Sequence, residues 1–216
     1  HVLRLTATNE CGLSSQVTRV VWVDGGFDTL ELRYPPDGHV VGGEVCFDGT
    51  VWDSHCFDQY VVEYRPAGGG GSFQPVDPGS PTYGSTVVND PFAHWATGSV
   101  ADGDYDVRIQ AATDCDFTDE RNITVTVDNT SPQSEITAPM NCDVVSGVVD
   151  VMGTASDDNL ASWHLQYTGG DTHGWTTIAS GNASITDGLI ASWDTSDLTP
   201  CAYTLRLRVV DQAELG

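Results

Sequence analysis

The stretch YTLRLRVVD at residues 203–211 decides the fold, because its side chains alternate in character along the chain. Its odd-numbered positions from Tyr203 to Val209 are apolar, and positions between them, such as Arg206 and Arg208, are polar. Successive side chains of a strand point to opposite faces, so this pattern predicts a strand with one buried and one solvated face. Similar phrases stand at 105–113 (YDVRIQAAT) and at 1–9 (HVLRLTATN).

These phrases belong to a longer internal repeat. GGEVCFDGTVWD at 42–53 matches SGVVDVMGTASD at 146–157 with an offset of 104, which indicates duplicated units. We therefore expect three parts: residues 1–24 as the C-terminal strands of a preceding repeat, residues 25–128 as a first repeat, and residues 129–216 as a second repeat lacking its final strand. We expect a window from a longer array; the alternative is a subunit that donates its N-terminal strand to a neighbouring copy.

Each repeat contains about seven short alternating runs, separated by turns rich in Gly, Pro, Ser, Thr and Asp. That pattern predicts an all-β fold of tandem immunoglobulin-like antiparallel β-sandwich domains. Tyr105 and Tyr203 stand at the start of the penultimate strand, where such folds place a tyrosine corner. Tyr60 and Trp163 are expected to fill the centres of the two cores.

The second repeat resembles the bacterial immunoglobulin-like modules of long secreted and cell-surface proteins. The resemblance is carried by G-x-V-x-V-x-G-T-A-x-D at 147–157, W-x-L-x-Y at 163–167, W-D-T at 193–195 and Y-T-L-R-L-x-V-x-D at 203–211. It covers the second repeat almost completely and the first with different loops. The resemblance implies a stalk, spacer or adhesive segment.

The chain is strongly acidic, with 31 Asp and Glu against 8 basic residues, a net charge of −23, and no Lys. Phosphate backbones and anionic lipid surfaces would repel it, so nucleic acid is excluded as a partner and direct membrane insertion is not expected. The expected partners are neighbouring repeats or copies of itself in a polymer. A glycan or another cell-surface ligand is the alternative.

Six cysteines favour an oxidising location, outside the cell or at the cell surface. In the first repeat we favour a Cys56–Cys115 disulfide, with Cys46–Cys56 as the rival because these two are close in sequence. Cys46 is then the odd thiol.

Cys142 and Cys201 have no equivalents in the first repeat, and their joint appearance predicts a bond between them. Cys11 matches Cys115 and is expected to pair with a residue upstream of His1.

His55 and Cys56, flanked by Asp53 and Asp58, are the one arrangement that suggests a nucleophile with its base. Adjacent strand residues point to opposite faces, and Cys56 has a disulfide role to fill. We therefore predict no catalytic residue and no enzymatic activity.

Calcium is the cofactor to consider; otherwise we predict none. Asp157, Asp158 and Asn159 form a carboxylate-rich loop, and Asp128 lies in the linker between the repeats. Hard cations take several oxygen ligands of this kind. The alternative is that these residues shape turns by bonding their own backbone.

Two further kinds of surface site are suggested. Asn122, Asn129 and Asn182 each begin an N-x-[ST] glycosylation sequon. Four tryptophans are candidate platforms for sugar stacking, although recurrence at equivalent places predicts core positions for two of them. The four are Trp52, which we expect to be exposed, the recurring Trp95 and Trp193, and Trp175.

The sequence therefore predicts a non-catalytic structural segment of an extracellular filament, stalk or surface-layer protein built from tandem immunoglobulin-like repeats. The alternatives are an adhesin or carbohydrate-binding module, and a spacer domain of a secreted hydrolase.

Overall fold

A computed structural model describes residues 1–21, 23, 25–171 and 173–213. These residues form strands connected by turns, with one 3-10 turn at Thr97–Ser99. No helix in this described part has the length and apolar character needed to cross a membrane.

The chain begins with a two-stranded antiparallel hairpin of β1 (Val2–Thr8) and β2 (Ser14–Val20). The Asn9 side chain closes its turn by accepting hydrogen bonds from the amides of Cys11 and Leu13 at 3.0 and 2.9 Å. Every residue of both strands is exposed, including Leu3 and Leu5. Among the described residues, this N-terminal hairpin has no second sheet against which to bury its apolar side chains.

The first repeat is a sandwich of two sheets. One sheet has the order β3-β5-β8 and the other has the order β4-β10-β9-β6-β7. Neighbouring strands are antiparallel except for β4 and β10, which run parallel. The strands are β3 (Thr29–Tyr34), β4 (His39–Val41), β5 (Glu44–Trp52), β6 (Phe57–Pro66), β7 (Gln74–Pro75), β8 (Val87–Ala96), β9 (Gly103–Thr113) and β10 (Thr118–Val127).

The core of the first repeat lies between these sheets. Trp95 from one sheet packs against Tyr64 and Tyr105 from the other, with ring centroids 4.7 and 5.8 Å apart. Tyr60 is buried as predicted, and its hydroxyl donates to the carbonyl of Phe92 at 2.7 Å. This contact gives the phenol a partner across the sandwich and leaves its ring in the core.

The second repeat has the same two-layer plan with two three-stranded sheets, β11-β12-β15 and β14-β13-β16. Its strands are β11 (Gln133–Ala138), β12 (Val148–Ser156), β13 (Leu160–Gly169), β14 (Thr176–Gly181), β15 (Ile185–Asp194) and β16 (Tyr203–Asp211). Trp193 contacts Tyr167 and Tyr203 at 5.3 and 6.1 Å, which reproduces the aromatic trio of the first repeat. Trp163 is buried as predicted, and its ring nitrogen donates to the carbonyl of Ala183 at 3.0 Å.

The tyrosine corner is present in both repeats. The hydroxyl of Tyr105 donates to the carbonyl of Ala101, and that of Tyr203 donates to the carbonyl of Thr199, each at 2.9 Å. The fold is therefore an all-β tandem of immunoglobulin-like, mostly antiparallel sandwiches, as the alternation predicted.

A steric clash explains why glycine occupies position 153 of the G-T-A motif and the equivalent position 49. A Cβ on Gly49 would clash with the carbonyl oxygen of Glu31 on the neighbouring strand, and a Cβ on Gly153 would clash with that of Glu135. Glycine is required here because the backbone of the first strand of each repeat approaches too closely for any side chain.

The expected strand count of about seven per repeat differs from the structure. In the described residues the first repeat has eight strands and the second has six. The two places without a counterpart are those of β4 and β10, which pair with each other in the first repeat. Residues 143–145, at the place equivalent to β4, form no strand in the described structure.

Candidate functional site: the acidic junction between the repeats

The linker between the repeats is fixed by hydrogen bonds from Asp128 onward. The amide of Asp128 donates to the carbonyl of Val41 at 2.9 Å, and its carboxylate accepts from the amide of Thr130 at 3.0 Å. The amide of Asn129 and the hydroxyl of Thr130 both donate to the carboxylate of Asp102, at 2.8 and 2.5 Å. Residues 128–130 are thus held against the end of the first repeat that carries Val41 and Asp102.

The side chain of Asn129 strengthens this attachment with four hydrogen bonds. Its oxygen accepts from the amide of Gly43 at 3.3 Å and from the hydroxyl of Thr97 at 2.9 Å. Its nitrogen donates to the carbonyls of Thr97 and Val100 at 3.1 and 3.3 Å. A glycan on this nitrogen would replace one of its two N–H donors and cost at least one of these bonds; glycosylation at Asn129 stays a prediction. Asn122 and Asn182 are exposed, and their modification stays a prediction.

The second repeat contributes the turn between β12 and β13. The carboxylate of Asp157 accepts from the amide of Asn159 at 2.7 Å, which is the turn chemistry that the sequence offered as the alternative to calcium. The amide side chain of Asn159 then donates to the carboxylate of Asp128 at 2.8 Å. This bond joins the second repeat to the buried carboxylate of the linker.

A cleft of about 670 Å³ lies at this junction, and we call it the junction cleft. Four carboxylates line it, from Asp102, Asp128, Asp157 and Asp158, while no described lining residue is Arg, Lys or His. Asp211, at the end of β16, is also buried and raises the pKa of Asp157 by its charge. The cleft is therefore a concentration of negative charge between the two sandwiches.

The carboxylates in the junction cleft differ in pKa. Burial raises the pKa of Asp157 above its ordinary value, and the charges of Asp128, Asp211 and Asp158 raise it further. The pKa of Asp102 is lowered, because the hydroxyl of Thr130 and the linker amide donate hydrogen bonds to its ionised form.

The four residues proposed as calcium ligands all line the junction cleft. Sequence reasoning missed Asp102 and Asp211, although Asp102 stands in a DG turn and Asp211 ends the alternating stretch that opened the analysis. Within the described ranges, no three His, Cys, Asp or Glu side chains are grouped so that they could hold a metal ion. As they stand, the residues do not fit an ion, and calcium stays a prediction that requires side chains to move.

Substituting Asp157→Asn is expected to raise the thermal midpoint of the second repeat by a few degrees at pH 7 in chelator. The folded-state pKa of Asp157 lies above the unfolded value, so protonation favours folding as pH falls through the folded pKa. Asn keeps the acceptor oxygen for the turn and removes the charge repulsion. Thermal melts should therefore show a gain over the parent that shrinks towards acid pH. A gain of equal size at pH 7 and well below the ordinary Asp pKa would contradict this account.

The Cys-His arrangement does not supply a nucleophile. Cys56 and Cys115 form the favoured disulfide, with Cα atoms 6.0 Å apart. The carboxylate of Asp53 accepts from the amides of His55 and Cys56, both at 3.1 Å. Burial acts to raise the pKa of Asp53, but these amide bonds outweigh it and the pKa is lowered. Asp53 therefore shapes the loop that carries the disulfide.

The predicted Cys142–Cys201 bond is not formed, and both thiols are free and exposed. Their equivalents in the first repeat, Gly38 and Gly103, lie on opposite sides of β10, because Gly38 bonds to Thr124 and Gly103 pairs with Val127. Two strand spacings amount to about 10 Å. A disulfide needs Cα atoms about 4.4–6.8 Å apart. The presence of both Cys142 and Cys201 in one repeat therefore did not mean that they are bonded to each other.

The remaining cysteines are also free in the structure. Cys46 is half-buried on β5, as expected of the odd thiol, and Cys11 is exposed in the turn of the N-terminal hairpin. The upstream partner predicted for Cys11 stays a prediction.

The four candidate tryptophans divide into two core residues and two partly exposed ones, and the two in the core are those that recur in both repeats. Trp95 and Trp193 are core residues, whereas Trp52 and Trp175 are 38% and 40% exposed. The guanidinium of Arg206 lies 3.9 Å from the ring centre of Trp175, so it occupies part of the surface on which a sugar would stack.

No protein-family model matches the chain, and no curated protein matches it significantly. Several solved structures do match the chain. Fibronectin(III)-like modules of Clostridium thermocellum CbhA share 17% identity over 85% of this chain and 86% of theirs, with a TM-score of 0.44. The FN1–FN3 domains of chicken CNTN1 share 10% identity over 96% and 71%, with a TM-score of 0.45.

A Ca2+-stabilized adhesin with which an Antarctic bacterium reaches out and binds ice shares 17% identity over 97% of this chain and 55% of its own, with a TM-score of 0.30. At such identities the likeness concerns the fold alone. The two-sheet cores and the tyrosine corners of the chain itself carry the conclusion that both repeats have an immunoglobulin-like, fibronectin III-like fold.

Proposed function

We propose that this protein is a non-catalytic spacer in an extracellular structure, such as a filament, stalk or surface layer, built from tandem repeats. The proposal includes the division into residues 1–24, 25–128 and 129–216. Its partners are neighbouring repeats or further copies of itself. The observation that carries it is the fixed linker, because a spacer must hold successive domains at a defined separation.

The linker has little freedom to act as a hinge. Asp128 is buried and bonded to both repeats, through Val41 on one side and Asn159 on the other. Asn129 adds four side-chain bonds to the first repeat. Interfaces within a chain allow domain motion by default, and these bonds oppose it.

The surface chemistry supports a role outside the cell. A net charge of −23 keeps copies soluble through mutual repulsion. Three of the eight arginines are engaged in ion pairs on the outer faces of the first repeat, with Asp48, Asp106 and Glu63 as partners. The Cys56–Cys115 disulfide suits an oxidising location.

Small-angle X-ray scattering tests the spacer role. The parent protein should give one defined maximum dimension, and Asn159→Ala should broaden the distance distribution by removing the bond to Asp128. Asn141→Ala, in an exposed turn of the second repeat, is the matched control and should leave the distribution unchanged. A broad distribution in the parent itself would show freely hinged repeats and overturn the proposal.

Calcium at the junction cleft would strengthen the same role by neutralising its carboxylates. Melts of the parent in calcium and in chelator decide this point. A higher midpoint in calcium that is lost in Asp158→Asn supports the ion, while equal midpoints remove it.

The alternative functions have less support from the structure than the spacer role. A carbohydrate-binding module would be favoured by an open aromatic platform; Trp52 is 38% exposed, and Arg206 covers part of Trp175. A spacer domain of a secreted hydrolase would use the same fixed junction. Binding on a glycan array would favour the adhesin and count against a purely structural role.

A further inference from the structure

We propose that copies of the chain associate side by side through the outer faces of the two sheets of the second repeat. The outer face of the β14-β13-β16 sheet carries Arg206 and Arg208, and we call it the arginine face. The outer face of the β11-β12-β15 sheet carries Asp150 and Asp194, and we call it the aspartate face. The arginine face of one copy binds the aspartate face of the next. The inference extends the spacer role, which names copies as partners without saying which surfaces meet.

The arginine face is a local excess of positive charge on an acidic protein. Arg206 and Arg208 alternate along β16 with residues of the core, so their side chains lie on the outer side of the sheet. Strand pairing places Gln166 and His164 opposite them on β13. The only acidic residue on the three strands of this sheet is Asp211, which is buried at the end of β16. The whole chain, by contrast, has a net charge of −23.

The first repeat neutralises the equivalent arginine, whereas the second repeat does not. Arg108, the equivalent of Arg206, forms an ion pair with Glu63 at 2.6 Å. In the second repeat Gln166 stands at the place of Glu63, and its neutral side-chain oxygen accepts from Arg206 at 3.2 and 2.5 Å. Within the described residues, neither Arg206 nor Arg208 has a carboxylate at ion-pair distance. Both guanidinium charges are therefore available to a partner.

Trp175 prepares this face for binding. Its ring lies against the guanidinium of Arg206, with 3.9 Å between the guanidinium carbon and the ring centre, and it is 40% exposed. Stacking on Trp175 and bonding to Gln166 both restrict the Arg206 side chain. Less side-chain freedom is then lost when the guanidinium pairs with a carboxylate. The exposed part of the indole adds apolar surface beside the charge.

The aspartate face offers complementary chemistry. Asp150 and Asp194 are exposed, and within the described residues neither forms an ion pair. The hydroxyl of Ser192 donates to Asp150 at 2.7 Å and leaves its charge in place. Val148 and Leu189, on the same sheet, are 67% and 51% exposed. Carboxylates beside exposed apolar side chains match the guanidiniums and the indole of the arginine face.

The spacing of the charges allows two ion pairs to form together. Arg206 and Arg208 are two residues apart on one strand, which places their Cα atoms about 7 Å apart. Asp194 pairs with Val148, so Asp150 lies one strand away and two residues further along. That separation is about 8 Å. The long arginine side chains can accommodate the difference.

A second copy is a better occupant than a free polyanion. The net charge of −23 opposes both, but at physiological ionic strength repulsion between distant charges is screened beyond about 8 Å. Contacting ion pairs are screened less. The aspartate face supplies apolar surface as well as carboxylates, whereas a polyanion such as a uronic acid polymer supplies mainly charge.

The geometry predicts an open row of weakly bound copies. Each face is three strands wide and about nine residues long, or about 14 Å by 30 Å. A contact of this size lies at the low end for a specific interface, and a tandem array strengthens it by repetition. Because the two faces lie on opposite sides of one sandwich, the contact is heterologous and does not close into a dimer.

Sedimentation velocity over a concentration series, at about 0.15 M salt, tests the contact. The parent should form species larger than dimers as its concentration rises. The double variant Arg206→Glu, Arg208→Glu should weaken this association by about tenfold or more, because like charges then face each other. The variant Asp150→Arg, Asp194→Arg should show the same loss. An equimolar mixture of the two variants should associate again, since each restores an opposite charge for the other.

The matched control is Arg4→Glu, Arg19→Glu, which makes the same change in net charge on the exposed N-terminal hairpin. Its association should equal that of the parent. Circular dichroism should show that all three variants keep their strands.

Four results would overturn the proposal: a parent that stays monomeric, association that stops at a closed dimer, an equal loss in the control, or a mixture that does not associate. Polygalacturonate is added as a competing probe. If it binds the parent through Arg206 and Arg208 while copies do not associate, the arginine face belongs to an acidic glycan instead. None of these results bears on the spacer role, which the scattering experiment tests through Asn159.

Discussion

Replacing Trp95 with alanine is expected to unfold the first repeat, or to leave it with a small fraction of its stability. Trp95 is 1% exposed and contacts Tyr64 and Tyr105 across the two sheets. Truncating a buried aromatic costs about 3–5 kcal/mol. A domain of this size has about 5–15 kcal/mol in total. Denaturant unfolding followed by tryptophan fluorescence and circular dichroism measures the loss.

Trp52→Ala is the matched control, because Trp52 lies in the same repeat and is 38% exposed. Its unfolding midpoint should stay close to that of the parent. If both substitutions cost the same, the aromatic core between the sheets does not hold the repeat together as described.

Removing the Cys56–Cys115 disulfide should produce the second large effect. The bond links residues 59 apart in sequence. In the chain-entropy model, closing a loop of about 60 residues restricts the unfolded chain by about 4 kcal/mol. The double substitution Cys56→Ser and Cys115→Ser should therefore lower the stability of the first repeat by that amount and leave the second repeat unchanged.

Reducing agent should have the same effect on the parent protein as this double substitution, and none on the variant itself. Cys46→Ser removes a half-buried free thiol and serves as the control. A loss of stability in Cys46→Ser as large as in the double variant would mean that thiol removal, rather than the lost cross-link, is responsible.

The alternating pattern predicted the faces of the strands well. Tyr60 and Trp163 are core residues, because a period of two assigns inward and outward positions without reference to the rest of the chain. Trp95 and Trp193 are also core residues, as their recurrence at equivalent places predicted. The tyrosine corners followed from the place of Tyr at the start of the penultimate strand.

Neighbour relations across the sheet could not be predicted in the same way. The parallel pairing of β4 with β10 joins segments far apart in sequence, and the local pattern of His39–Val41 does not predict which strand pairs with it. The failed Cys142–Cys201 prediction has the same origin. Alignment placed both residues near strand ends, but only strand order shows that the position of β10 lies between their equivalents.

The junction cleft was partly predictable. Asp157 and Asp128 were recognised as loop and linker carboxylates. Asp102 joins them because it binds the linker at Asn129 and Thr130, and Asp211 because strand pairing places it opposite Leu160, next to the turn of Asp157. The hydrogen-bond network of Asn129 could not be predicted either, because its four bonds go to three residues from two separate turns of the first repeat.

The parallel pair of β4 and β10 has a mechanical consequence. A force that stretches the polypeptide pulls β4 backwards from its start and β10 forwards from its end, so the two strands slide in opposite directions. The bonds between His39–Val41 and Val125–Val127 then carry the load together, whereas an unzipping pull would break them one by one. The first repeat is thus built to resist stretching along its length.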